Sequence, residues 1–146
     1  MTRLKLISAL ALASSFFCGN ILAATDLVVV TNLNSGVDKL SREEVAAIYM
    51  GQTKKLASGA TVLPIDLSAN SGKAKFYTEI VNKDLREINA YWAPKIYSGK
   101  GTPPKQVDNV AEVLEIVSSN KGAIGYVPRA NADKRVKAVL DLSVAP

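Results

Sequence analysis

Apolar residues along this chain occur in two alternating patterns, short continuous runs and stripes at helical spacing. The run at residues 27–30 has no polar interruption, as expected of a strand buried on both faces. Similar runs predict strands at residues 62–65 and 123–127, and a last, edge strand at residues 136–142. Strands separated by helices indicate a single α/β domain with a mainly parallel sheet.

The stripes predict helices, and polar residues mark where the helices begin. Ser41 with Glu44, and Asn109 with Glu112, have the spacing of a capping box, and Asp84 can cap a further helix. Residues three and four apart form one apolar face of each helix. These faces comprise Val45, Ile48 and Tyr49; Phe76, Tyr77, Ile80 and Val81; Leu85, Ile88, Trp92 and Ile96; and Val110, Val113, Leu114 and Val117.

Glycine and proline predict where the helices end. Gly51 stops the first helix, and Gly122 is placed to end the last one in a left-handed conformation. Pro94 predicts a break or kink near Ala93, because proline removes a helical hydrogen bond and clashes with the preceding turn. Residues 98–104 have the composition of a loop.

The first residues have the order of a secretory signal peptide. Arg3 and Lys5 precede an uncharged apolar stretch, which is followed by the small pair Ala23 and Ala24. Cleavage after Ala24 would leave residues 25–146 as one exported, periplasmic domain. Cys18 follows two bulky phenylalanines rather than the small residues that lipidation uses, so a lipoprotein is not expected.

Composition excludes several kinds of chemistry. The chain has no histidine and a single cysteine, which lies in the predicted leader. Disulfides, zinc sites of Cys/His type and nucleophiles paired with histidine cannot be built from the remaining residues. We therefore expect a binding protein rather than an enzyme, with neither a metal nor a cofactor.

The net charge of +5 falls by two when the leader is removed, and the remaining basic residues are scattered. Nucleic-acid binding needs a concentrated basic face with aromatic rings for stacking. No nucleic-acid partner is expected, and a solvated surface accounts for these charges.

The turn formed by Ser71, Gly72 and Lys73 separates a predicted strand from a predicted helix. Such a turn points free backbone N–H groups and the positive end of the helix dipole at one place, which attracts anions. In a parallel sheet that place lies beyond the carboxyl end of a strand, where ligands commonly bind. A turn that binds only water is the alternative.

Four motifs resemble one lobe of the periplasmic phosphate-binding proteins of ABC transporters. They are LSREEVAAIYMG at residues 40–51, the Ser71-Gly72 turn with Phe76 after it, YSGKG at residues 97–101, and KGAIGYV at residues 121–127. Their order over about a hundred residues is more specific than any one motif. The resemblance implies a three-layer α/β fold and an anion site at the Ser71-Gly72 turn, with Lys73 after it and Asp66 nearby. Ser68 and Asn70 are further candidate hydrogen-bond donors of this site.

The chain departs from this family's pattern at the implied site. An arginine that grips phosphate in the family has no counterpart among residues 67–70, and Lys73 stands where the family has threonine. Lys73 could restore the positive charge. Asp66 could accept a proton from monohydrogen phosphate, could repel a dianion, or could simply bind nearby turn amides.

The family has two lobes that close on the ligand, whereas residues 25–146 suffice for only one. The expected function is binding of phosphate or a related oxyanion in ABC-transporter uptake or sensing. The expected partners are the transporter's membrane subunits and a second lobe, or a second copy in a homodimer.

The alternative is an interaction or assembly module with a vestigial anion site, in which Tyr91, Trp92 and Tyr97 are candidate contact residues, although the spacing of Trp92 favours the core. A Lys-assisted hydrolysis around Lys73 and Asp66 comes third.

Overall fold

The computed structural model describes residues 26–68 and 72–143, so the predicted leader at residues 1–24 lies outside the described residues. Secondary-structure elements follow the alternation expected from the sequence. In chain order they are β1 (Leu27–Asn32), α1 (Arg42–Tyr49), β2 (Leu63–Leu67), α2 (Lys73–Val81), α3 (Leu85–Tyr97), β3 (Lys105–Val107), α4 (Val110–Ser119), β4 (Ala123–Pro128), a short 3-10 turn (Arg129–Asn131) and β5 (Val136–Asp141).

The strands form one sheet in the order β3-β2-β4-β1-β5. Strand β2 pairs in parallel with β3 and β4, whereas β1 is antiparallel to both β4 and β5. Four of the five strands therefore run in one direction and β1 alone opposes them, so the predicted mainly parallel sheet is confirmed. All six residues of β1 are buried, and β5 is the predicted edge strand.

Helices cover both faces of the sheet, which gives the three-layer α/β arrangement. On one face a side-chain carbon at Gly125 would lie 2.5 Å from Val113 of α4, so this glycine lets the helix approach the strand. On the other face the neighbouring Tyr126 contacts Tyr49 of α1 and Phe76 of α2. Helix α3 packs against α2.

The predicted helix starts are confirmed. The Ser41 side chain accepts a hydrogen bond from the Glu44 amide, while the Glu44 carboxylate accepts one from the Ser41 amide. Asp84 forms the same reciprocal box at α3. Asn109 accepts from the Glu112 amide at α4. Each cap satisfies a donor that a helix end otherwise leaves open.

Two predicted helix ends differ from the structure: the break near Ala93 and the left-handed end at Gly122 are wrong. Helix α3 does not break near Ala93 but continues through Pro94 to Tyr97. Proline has no N–H, so Pro94 cannot donate the helical hydrogen bond to the Ala90 carbonyl. Both residues are exposed, so water can bind this carbonyl instead. The buried Trp92 holds this part of the helix against the core.

Gly122 does not adopt the predicted left-handed conformation, since it is absent from the described glycines with positive φ. Helix α4 ends at Ser119 instead. A side-chain carbon at Gly122 would lie 1.9 Å from the Thr61 carbonyl oxygen, so close packing of two backbones accounts for this glycine. Gly51, with φ of 72°, follows the end of α1 as predicted.

No helix within residues 26–68 and 72–143 is long and apolar enough to cross a membrane.

Strand β3 was not expected from the sequence, because three residues with two exposed polar side chains form no recognisable apolar run.

Candidate anion-binding site

The start of helix α2 lies beyond the carboxyl end of β2, as the sequence predicts. Strand β2 ends at Leu67 and the helix begins at Lys73. The residue before the helix, Gly72, has φ of 94°, a conformation that favours glycine. Its carbonyl accepts the first helical bond, from the Phe76 amide at 3.0 Å. The backbone therefore enters the helix through a left-handed turn.

Helix α2 begins without the side-chain cap that the other α-helices have. Within the described residues, Gly72 offers no side-chain acceptor and the first turn of α2 contains no acidic residue. The three other α-helices of the described part each begin with a polar side chain that accepts from a first-turn amide. The first-turn amides of α2 thus find no capping side chain among the described residues, and they carry the partial positive charge of the helix end.

Asp66 and Lys73 form a buried ion pair directly beside this helix start. The ammonium of Lys73 lies 3.1 Å from Asp66 Oδ2, and the two residues are 8% and 3% exposed. The Tyr77 hydroxyl donates to Asp66 Oδ2 at 3.0 Å, and the Tyr126 hydroxyl donates to Asp66 Oδ1 at 2.5 Å. The carboxylate charge is therefore compensated by a cation and by two hydrogen-bond donors, as a buried charge requires.

Tyr126 connects this pair to the backbone of β2 and to the aromatic core. Its hydroxyl oxygen also accepts from the Leu67 amide at 3.2 Å, and its ring is stacked on Phe76 with centroids 3.8 Å apart. Burial, followed by the negative charge of Asp66, raises the pKa of both Tyr77 and Tyr126 well above the ordinary value. Both phenols consequently stay protonated, and remain donors, in neutral solution.

The structure brings together three of the six predicted site residues, Asp66, Gly72 and Lys73. Asn70 and Ser71 lie outside the described residues. Ser68 is bound toward β3: its amide donates to the Val107 carbonyl at 3.0 Å and its hydroxyl to the Asp108 carbonyl at 3.5 Å.

The side-chain partners of Asp66 were not expected from the sequence. Asp66 binds the side chains of Tyr77, Tyr126 and Lys73, and it accepts from no turn amide of the described residues. Tyr77 and Tyr126 are the signal in the sequence that points to such partners, since a buried tyrosine hydroxyl usually needs a hydrogen-bond partner. Within the described ranges no three potential metal-binding side chains lie together.

A groove of about 800 Å³ lies elsewhere, between residues 38–43 and strand β5. Its lining includes three acidic and three basic side chains around apolar residues of the sheet. Two of the basic groups near it are already paired, Lys137 with Asp38 and Arg129 with Asp141. Paired charges of both signs give no net attraction for an anion, so this groove does not compete with the start of α2 as an anion site.

Solved structures of similar fold are phosphate-binding proteins. An ABC-type phosphate transport receptor from Vibrio cholerae is 21% identical with a TM-score of 0.63, and the match covers 83% of this chain and 48% of that one. A putative phosphate ABC transporter substrate-binding protein with bound phosphate, from Clostridium perfringens, is 22% identical with a TM-score of 0.62, covering 78% and 44%. PstS from Borrelia burgdorferi is 19% identical with a TM-score of 0.59, covering 83% and 49%.

The chain therefore spans about half the length of the solved proteins that it resembles. In fold it corresponds to a single lobe of the periplasmic binding proteins of phosphate ABC transporters, as the sequence motifs predict. No protein-family model matches the sequence, and no curated protein matches it significantly. The structural neighbours are binding proteins, and their likeness at this identity concerns the fold.

Proposed function

We propose that this chain is an exported solute-binding domain that binds phosphate or a related oxyanion at the start of helix α2. In this proposal residues 1–24 are a cleaved signal peptide, the domain is periplasmic, and it acts in ABC-transporter uptake or sensing. The observation that carries the proposal is the start of α2, which no side chain of the described residues caps, placed beyond β2 in a fold similar to that of a protein solved with bound phosphate.

Backbone donors supply most of the attraction in this proposal. The Lys73 charge is already compensated by Asp66, so the ion pair adds little net positive potential. First-turn amides and the helix dipole remain. We propose that Asn70 and Ser71 add side-chain donors, whereas the Ser68 hydroxyl donates to the Asp108 carbonyl. A favourable charge at a helix end contributes about 0.3–1 kcal/mol when exposed, and up to about 2 kcal/mol when partly buried.

One lobe alone therefore binds weakly. A dissociation constant in the millimolar range corresponds to about −4 kcal/mol, which a few charge-assisted bonds can supply. Tighter binding requires a second wall that excludes water from the anion. We propose that a second lobe, from another chain or from a second copy in a homodimer, supplies this wall, and that transporter membrane subunits receive the complex.

Calorimetric titration of the purified protein with phosphate tests the proposal. Ala74 is exposed in the first turn of α2, so Ala74→Glu keeps a good helix former while placing a carboxylate at the site. Thr78 is exposed further along the same helix, so Thr78→Glu adds the same charge away from the site. We expect Ala74→Glu to weaken phosphate binding at least tenfold and Thr78→Glu to change it less than threefold.

Two outcomes count against the proposal. Absence of heat and of thermal stabilisation at millimolar phosphate would remove the binding function. Equal effects of the two glutamate substitutions would leave binding in place but would remove the assignment to the start of α2.

Two observations favour the alternative of an interaction module with a vestigial anion site. The Asp66–Lys73 pair is neutralised internally, and the end of α3 exposes two large apolar residues, Ile96 at 55% and Tyr97 at 96%. Of the three candidate contact residues, Trp92 is buried in the core. The Tyr91 hydroxyl donates to the Met50 carbonyl, so Tyr97 is the exposed candidate. If this alternative holds, light scattering over a range of concentrations should detect self-association of the parent protein. Tyr97→Ser should abolish the self-association, whereas the control Ala90→Ser, at another exposed position of α3, should leave it unchanged.

A further inference from the structure

A second cavity, of about 260 Å³, lies at the opposite end of strand β2 from helix α2. Leu63 and Pro64 begin the strand and line this cavity, whereas α2 starts beyond the other end of the strand. Leu63, Pro64 and Pro103 are half-buried, so apolar surface in this concave site remains in contact with solvent. A bound apolar group would remove that surface from water, which favours binding.

Trp92 lines the same cavity and carries an indole N–H that lacks an acceptor. The residue is 6% exposed, and within the described part of the chain its Nε1 atom has no hydrogen-bond partner. A buried indole N–H usually has one, because a buried donor left unsatisfied is costly. A side-chain carbon at Gly51 would lie 2.8 Å from Trp92 Cη2, so this glycine leaves room for the ring. A ligand oxygen is the kind of acceptor that this donor lacks.

The charged residues that line the cavity are both basic, Lys54 and Lys105, and no acidic residue of the described ranges lines it. Both lysines are exposed, and neither forms an ion pair with another described residue. The backbone fixes where they start: the Lys54 carbonyl accepts from the Val62 amide at 3.0 Å, and Lys105 pairs with Ile65 in the sheet. Charge of one sign beside apolar walls favours an anion that has an apolar part.

We infer that this cavity binds a small carboxylate with an apolar body. The carboxylate oxygens accept from the lysines and from the indole N–H, and the apolar body covers the half-buried walls. A volume of about 260 Å³ equals the room of roughly nine waters in the liquid, which suits a ligand of the size of benzoate. The inference does not depend on anion binding at α2, because the two places lie at opposite ends of β2.

Benzoate is the probe, benzamide is its uncharged control, and calorimetry of the purified protein measures the binding of both. Trp92 is the single tryptophan of the chain, so its emission reports a ligand in this cavity. We expect benzoate to change the emission and to bind at least about fivefold more tightly than benzamide at low ionic strength. In Lys54→Gln/Lys105→Gln this preference should fall to within about twofold. Lys55→Gln/Lys134→Gln removes the same charge from exposed positions outside the cavity and should keep the preference.

Any of three results would overturn the inference. Equal affinities for benzoate and benzamide in the parent protein would show that the lysines attract no anion. An equal loss of the preference in the two double variants would assign it to the net charge rather than to the cavity. Absence of binding heat with benzoate, or heat without a change in Trp92 emission, would remove the ligand from this cavity. Phosphate binding at α2 is measured separately, so the proposed function stands or fails on its own titration.

Discussion

Replacing Tyr126 by phenylalanine tests the connection between the Asp66 pair and the fold. The substitution removes one oxygen and leaves the aromatic ring, so the stacking on Phe76 at 3.8 Å is preserved. That oxygen donates to Asp66 Oδ1 at 2.5 Å and accepts from the Leu67 amide at 3.2 Å. Its removal leaves one lone pair of a buried carboxylate and one buried backbone N–H without partners.

Each of these losses has a known scale. A hydrogen bond to a charged group contributes about 1.5–3 kcal/mol, and a buried donor left unsatisfied costs about 1–3 kcal/mol. The two terms share one hydroxyl and are not additive, so we expect Tyr126→Phe to lower the free energy of unfolding by about 3 kcal/mol. Tyr77→Phe is the matched control, because Asp66 Oδ2 keeps Lys73 as a partner. We expect that variant to lose about 1–2 kcal/mol.

Urea denaturation followed by circular dichroism measures both variants against the parent protein. The slope of the transition should be unchanged, since the surface exposed on unfolding is the same. A loss below about 1 kcal/mol for Tyr126→Phe would refute the reasoning. So would a larger loss for Tyr77→Phe, because the backbone bond of Leu67 would then have no measurable role.

Three further predictions concern the same core. Burial raises the pKa of the three central tyrosines, Tyr49, Tyr77 and Tyr126, above the ordinary value of about 10, so their stabilising contribution is present below that pH and lost above it. In alkaline solution the free energy of unfolding, measured by urea denaturation, should fall by up to about 1.4 kcal/mol per pH unit for each tyrosine, and a flat profile would contradict this. Lys73→Gln leaves the Asp66 carboxylate buried without a cation and should lower the free energy of unfolding by about 3–5 kcal/mol. Adding Asp66→Asn should restore much of this loss, whereas strictly additive losses of the two substitutions would exclude a coupled pair. Gly125→Ala places a carbon 2.5 Å from Val113 and should lower the free energy of unfolding by about 1–3 kcal/mol. Val113→Ala in the same protein should restore part of this stability, and a double variant as unstable as Gly125→Ala alone would argue against the contact.

Much of the fold could be predicted from local sequence. The residues 27–30 form a fully buried strand, and Ser41, Asp84 and Asn109 begin helices as expected. Caps and apolar runs depend on neighbours in the sequence, which is why they are readable. Gly122 was misread because the same residue serves either a left-handed turn or a close backbone approach, and only the tertiary contact with Thr61 distinguishes them.

The start of α2 could be located from the sequence, but the side-chain partners beside it could not. The strand-to-helix turn at Gly72 follows from residue order. The partners of Asp66 depend on strand register: β2 pairs with β4 so that Pro64 lies opposite Ile124, and two residues further along Asp66 lies beside Tyr126. Such a register joins positions sixty residues apart in the chain, and no local pattern encodes it.

The interior position of β1 in the sheet has a consequence for synthesis. Among the described strands β1 is made first, yet it lies between β4 and β5, which are the last of the five to be made. A nascent chain that ends before Val136 can offer β1 at most one neighbour, and before Ala123 it offers none. The five-stranded sheet can therefore be completed only after β5 has left the ribosome, and β1 is unpaired during most of the synthesis of the described residues.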